Sequence, residues 1–288
     1  MIPTAPRLGM AATIAILALS ACSDPDADRE AIESLSPLNV IDESGLNSIM
    51  LDFADPDQAV AYFRKTLSEN PDRVDLQQGY ARALMKANRP EEASLAYQDM
   101  DAKGTLTDLD RLYYAEALIQ SAGWEKAEAQ LDAIPPTVET YDRYRLEAMI
   151  ADFRKEWKKA DSFYDTAAGL TTRKAPIYNN WGISKMARGD RADAEEMFLR
   201  SITNDSTMFS PKNNLAISRA KRREYDLPVV PLTRVERAKL LHNIALQAIR
   251  NGDVDRGRGL LEEALETSPT YFEEAANKLE ALNRQVAR

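Results

Sequence analysis

YNNWGISKMARGDRADAEEMF, residues 178–198, reads as two helices folded back on each other at one turn. Gly189 sits in the turn Arg188-Gly189-Asp190, where a residue without a Cβ takes the left-handed conformation that ends a helix. The small residues Gly182 before the turn and Ala194 after it let the two helices approach closely, and Phe198 fills the gap beside them. Working outward, the same pair recurs as Ala59 and Phe63, Ala93 and Tyr97, Ala127 and Leu131, and Ala160 and Tyr164, at intervals of 34, 34, 33 and 34 residues. A generic helical bundle has no reason to hold such a register through five units. A stack of helix pairs must hold it, because each unit buries its apolar face only against its neighbours. Further turns fall at Ala87-Asn88-Arg89, Ala122-Gly123 and Asn251-Gly252-Asp253, with Asn or Gly expected in the left-handed position. Pro71 and Pro269 stand where a second helix has to stop.

From about residue 40 to 288 this pattern resembles the tetratricopeptide repeat. The resemblance implies an all-α superhelical solenoid of six to seven helix pairs, one of them incomplete, closed by a C-terminal capping helix from about Tyr271 to Val286. It implies a right-handed superhelix with the first helix of each pair on the concave side. Ala, Leu, Glu, Arg and Lys dominate the composition, as helices prefer. The array departs from the pattern at its start, where the first helix near Val40–Phe53 is weak, and in the sixth unit. That unit opens with Asn213-Asn214-Leu215-Ala216, but its second helix is replaced by Tyr225-Asp226-Leu227-Pro228-Val229-Val230-Pro231-Leu232-Thr233. Two prolines three apart exclude helix and predict extended chain, read as a cover over the gap in preference to a docking element. Helical register resumes at Arg234.

The other end of the chain reads as a targeting signal. Arg7 precedes a short apolar run, Met10–Leu19, which falls short of the roughly 20 residues a spanning helix needs and fits a signal-peptide core. Leu19-Ser20-Ala21-Cys22 resembles the lipobox of bacterial lipoproteins, which implies cleavage after residue 21 and acylation of Cys22. Ser23 in place of aspartate favours the outer membrane. Residues 1–21 are therefore read as a signal peptide, 22–39 as a flexible acidic tether, and 40–288 as the repeat domain. Cys22 is the only cysteine, so no intramolecular disulfide can form. Loss of Arg7 with the signal takes the net charge from −9 to −10. That surface disfavours nucleic acid, which is bound by neutralising phosphates, and polybasic attachment to anionic lipid.

Catalytic chemistry has little to draw on. His242 is the only histidine, so with Cys22 acylated neither a histidine-based triad nor a zinc cluster can be built. No glycine loop cradles a phosphate; Gly257 and Gly259 lie inside a helix and read as packing residues. The carboxylates are those of solvated helix faces, and no cofactor, metal or small-molecule substrate is expected. Aligning the units shows a different pattern. Two positions before the small residue of the first helix stand Asn180, Asn214 and Asn243, preceded by Asn179, Asn213 and His242. One position after it stand Ile183, Ile217 and Leu246, with Met149 in the fourth unit. The ladder is similar to that in the repeats of the O-linked N-acetylglucosamine transferase, where amides pair with the backbone of an extended peptide, since an amide offers both donor and acceptor. The alternative is that these residues only pack adjacent helices.

With lipobox, repeats and broken sixth unit together, the chain resembles the TadD family, the tetratricopeptide lipoproteins of the tight-adherence (Flp) pilus system. The resemblance is best over Tyr178–Glu274, through Asn179-Asn180-Trp181-Gly182, Pro211-Lys212-Asn213-Asn214-Leu215 and Leu227-Pro228-Val229-Val230-Pro231. It implies a pilotin-like, non-enzymatic role at the periplasmic face of the outer membrane, with a pilus secretin or its assembly factors as protein partner. Other scaffold lipoproteins (of outer-membrane β-barrel assembly, or type IV pilotins) and, last, a cell-wall enzyme remain as alternatives.

Overall fold

A computed structural model describes residues 45–286, with side chains to residue 284. Cys22, the signal peptide, the tether and residues 40–44 lie outside the described residues. The described chain is a succession of helices paired in chain order. The pairs are α1 (45–52) with α2 (Pro56–Glu69), α3 (Val74–Lys86) with α4 (Pro90–Ala102), and α5 (Asp108–Gln120) with α6 (Trp124–Asp132). Next come α7 (Tyr141–Phe153) with α8 (Trp157–Gly169), and α9 (Ala175–Ala187) with α10 (Arg191–Asn204). The sixth unit has only α11 (Phe209–Ala220). The seventh pairs α12 (Arg234–Arg250) with α13 (Val254–Thr267), and α14 (Glu273–Val286) closes the array.

Local sequence sets the helix ends. Asp55 accepts from the backbone N–H of Asp57 at 3.0 Å, with Pro56 at the first helical position, where no N–H is missed. Thr107 with Asp110, and Thr233 with Glu236, make reciprocal capping boxes that begin α5 and α12. Asn88, Gly189 and Gly252 take the expected left-handed conformation, with φ of 55°, 92° and 88°. The Ala122-Gly123 turn corrects the expectation: Ala122 is the left-handed residue, at φ 61°, whereas Gly123 has φ −86°. Lys155 and Arg223 end their helices the same way, at 61° and 67°.

The register residues form the centre of every unit. Ala59, Ala93, Ala127, Ala160 and Ala194 are buried, as are Phe63, Tyr97, Leu131, Tyr164 and Phe198. Each large side chain so buried contributes roughly 1.5–3 kcal/mol. Within a unit the two helices pack along their length, and each second helix packs on the first helix of the next unit. First helices also touch in series, α3 on α5, α5 on α7, α7 on α9 and α9 on α11, whereas successive second helices do not come as close. The first helices therefore line the inner face of the curve.

In the sixth unit α11 packs directly on α12. The segment 221–233, non-helical as expected, fills the space of the missing helix. Tyr225 is buried, with its hydroxyl bonded to Asp253 and accepting from Asn251 Nδ2 at 2.9 Å. Leu227 and Leu232 lie on the core around Leu240, Leu241 and Ile244, and Val230 packs on the cluster of Ala194, Phe198, Ile202 and Leu215. Val229 points fully into solvent. Beneath the segment, Lys212 is 2% exposed and pairs with Glu236 at 2.7 Å, which ties α11 to α12. The cap α14 contributes Ala275 and Leu282 to the last core.

Candidate partner-binding groove

The first helices present a groove whose character changes along the array. Between α3 and α5 its lining is charged and aromatic: Arg82, Met85, Lys86, Tyr113, Glu116 and Gln120. The Arg82 guanidinium lies 5.5 Å from the centre of the Tyr113 ring. One unit on, Arg145 spans α5 and α7, reaching Glu116 at 3.0 Å and Asp142 at 3.4 Å. Between α7 and α9 the groove holds a depression of about 280 Å³ with a largely apolar lining. Trp124 and Phe153, their rings stacked at 4.7 Å and 7°, line it together with Met149, Ile183 and Ala187. Its floor is polar: Asp152 Oδ1 accepts from Ser184 Oγ at 2.5 Å and Oδ2 from the Tyr164 hydroxyl at 2.9 Å. Burial pushes the Asp152 carboxyl above its ordinary value, and the two hydroxyl donors only partly offset this.

The aligned positions do meet this groove in the fifth unit. Asn180 and Ile183 line the depression with Met149, and Asn180 Nδ2 lies 3.7 Å from Met149 Sδ. The later rungs are tied to one another. Asn214 Nδ2 donates to Asn179 Oδ1 at 3.0 Å, and Asn243 Nδ2 donates to Asn213 Oδ1 at 2.8 Å. Each amide thus clips its helix to the preceding first helix, so one donor of each serves the array itself. Asn179 is buried, and Asn213, Asn214 and Asn243 are half-buried, as are Ile217 and Leu246. His242 lies 3.2 Å from Asn243 Oδ1 and packs on the Phe272 ring at 5.2 Å, a bridge between α12 and the last connection. Gly257 serves packing as expected, since a methyl there would meet Ile249 Cγ1 at 2.5 Å; Gly259 has open space beside it.

Sequence reasoning missed Trp124, Asp152, Phe153 and Ser184. One signal was available for Asp152. Four positions after the small residue of each first helix the chain carries Met85, Ile119, Met186, Ala220 and Ile249, and only the fourth unit has a carboxylate.

Below the groove the charges are matched. Arg188 Nη2 reaches both Asp161 oxygens at 2.8 Å, and Lys185 and the Trp181 indole donate to the same carboxylate at 3.2 and 2.5 Å. Burial would raise the Asp161 carboxyl, but these donors hold it below its ordinary value. Among the described residues no group of three or more His, Cys, Asp or Glu could hold a metal ion, and no helix is long and apolar enough to cross a membrane.

A tetratricopeptide-repeat model matches residues 50–105. No curated protein sequence matches the chain. Among solved structures it is similar to a chain of the APC/C hetero-tetramer Cut9–Hcn1, with a TM-score of 0.56 at 13% identity. That likeness covers 82% of this chain and 48% of the other, so this chain spans about half the length of that relative. A tetratricopeptide repeat protein from Parabacteroides merdae gives a TM-score of 0.53 at 12% identity, over 83% of this chain and 96% of that one. At such identities the likeness is one of fold. Helix pairing, register and these likenesses together define the chain as a tetratricopeptide-repeat solenoid.

Proposed function

We propose that this chain is a lipid-anchored periplasmic scaffold that holds an extended segment of a partner protein along its first helices. The partner is the outer-membrane secretin of a tight-adherence pilus system, or one of its assembly factors. The groove carries the reading: an apolar depression at Met149, Asn180 and Ile183 continues into half-buried amides, a surface for binding without bond-making. Leu19-Ser20-Ala21-Cys22 supports an anchor at Cys22 on the periplasmic face of the outer membrane, since several acyl chains suffice for stable attachment. The resemblance over Tyr178–Glu274 supports the pilus system, in which the protein helps the secretin to localise or assemble.

A deletion strain tests the assignment. Secretin multimers should be mislocalised or unassembled, restored by the wild-type gene, and poorly restored by Cys22→Ser or Ile183→Asp. Normal multimers and normal adherence in the deletion strain would overturn the pilus role. A mature intact mass equal to the bare polypeptide would overturn the anchor. Recovery of the secretin equally by wild type and Ile183→Asp would overturn the groove.

A further inference from the structure

Asp152 is out of keeping with its position. Equivalent positions in the other units are apolar, and here the side chain forms part of the floor of an apolar depression. The packing of Tyr164 does not require it. Tyr97 holds the same place two units earlier, fully buried and with Met85 at the position equivalent to Asp152, and its hydroxyl has no partner. The array therefore tolerates a buried tyrosine there without a carboxylate. Nor does Asp152 serve an internal ion pair. It has none among the described residues, and the nearby cations are engaged elsewhere: Arg188 with Asp161 and Asp190, Lys185 with Asp161 and Asp193. Two hydroxyl donors occupy a carboxylate that has about four acceptor sites. A partly buried anion that is in contact with no cation and feels Arg188 only at a distance costs stability, and a residue that breaks its register in this way is a mark of a functional position.

We propose that the depression between α7 and α9 is a slot for one lysine or arginine side chain of the bound partner segment. The aliphatic stem lies between Met149, Phe153 and Ile183, and the cationic head meets Asp152. This rests on the groove reading above and adds the chemistry of the segment. The volume of about 280 Å³ is at the small end for ligand pockets, roughly 300–1,000 Å³, which suits one long side chain. Lysine and arginine have the matching form, an apolar stem ending in a charge. Burial holds the Asp152 carboxyl above its ordinary value, and an incoming cation would reverse that shift.

The test uses the full chain and four fluorescein-labelled peptides of one frame, Ser-Leu-Val-Xaa-Val-Leu-Ser, with Xaa as lysine, arginine, norleucine or glutamate. Fluorescence anisotropy should show the lysine and arginine peptides binding about tenfold or more tighter than norleucine, and glutamate weakest. A tenfold preference corresponds to about 1.4 kcal/mol. Asp152→Asn should abolish the preference while leaving norleucine binding in place, and raised salt should narrow the gap. Equal binding of lysine and norleucine peptides by the wild-type chain would overturn the slot. So would a preference that survives in Asp152→Asn, or binding of none of the four. Capture of the secretin, tested separately with Ile183→Asp, decides whether the groove reading stands without it.

Discussion

Enlarging Gly182 should destabilise the fifth unit. A methyl group there would lie 2.6 Å from Phe198 Cε1 and 2.7 Å from Cδ1. Phe198 is completely buried and packs with Ala194, Ile202 and Leu215, so its ring has little room to yield. Replacing glycine with alanine inside a helix gains about 0.5–1 kcal/mol from the backbone, while overpacking costs typically about 1–3 kcal/mol. Gly182→Ala should therefore lose about 1 kcal/mol net, and Gly182→Leu about 3 kcal/mol. Gly259 is the internal control. It is also helical but has nothing within 4 Å of its would-be methyl, so Gly259→Ala should gain about 0.5–1 kcal/mol. Urea unfolding is the assay, followed by circular dichroism and by the emission of Trp124, Trp157 and Trp181, which fall in the third to fifth units. Midpoints should shift at unchanged slope, because a change in slope would mean a change in the unfolding unit. Gly182→Leu unfolding at the wild-type midpoint would refute the close helix crossing, and with it the register that places Gly182 against Phe198.

Three further outcomes follow from particular contacts. Ala122→Gly should raise stability by about 1 kcal/mol in the same assay, because Ala122 holds a left-handed conformation that costs an L-residue about 1–2 kcal/mol. Glu236→Gln keeps a capping side chain for Thr233 but leaves the buried Lys212 without its counter-charge, and should cost about 3 kcal/mol, read as a lower urea midpoint. Burial opposes the charged form of Glu236, but Lys212 and the Thr233 contacts hold its carboxyl below the ordinary 4.5. Its contribution is then present above that value and lost as pH falls through the folded value, so the acid limb of stability against pH should be flatter in Glu236→Gln. Asn243→Ala strips Asn213 Oδ1 of its donor and should cost about 0.5–1.5 kcal/mol, read as a lower urea midpoint; no loss would remove the structural role of the ladder.

What the sequence settled by itself is what repeats locally. The 34-residue return of a small residue and a large one four positions later specifies a helix pair and its neighbour contacts, so Ala59 to Phe198 could be placed in the core without coordinates. The prolines at 228 and 231 likewise excluded a helix in the sixth unit, because a missing N–H and a fixed φ act on the residues beside them. Even so, the Ala122-Gly123 turn shows where local reading stops. Composition favours glycine for positive φ, but Ala122 stands at the same position after its helix cap as Asn88 and Gly189, and its N–H bonds back to Ile119 as theirs do to Met85 and Met186. The groove required the tertiary structure. Trp124 and Phe153, on helices of successive units, meet in a stack only when those units pack. Asn214 and Asn243 looked free to bind a peptide, because the sequence shows their shared register but not the side chain that each meets on the preceding helix. Asp152 could be seen as an exception to an apolar column. Only the packing of α7 against α9 decided that its carboxylate forms the floor of an apolar slot, because burial and the lack of a contacting cation are properties of three units stacked together.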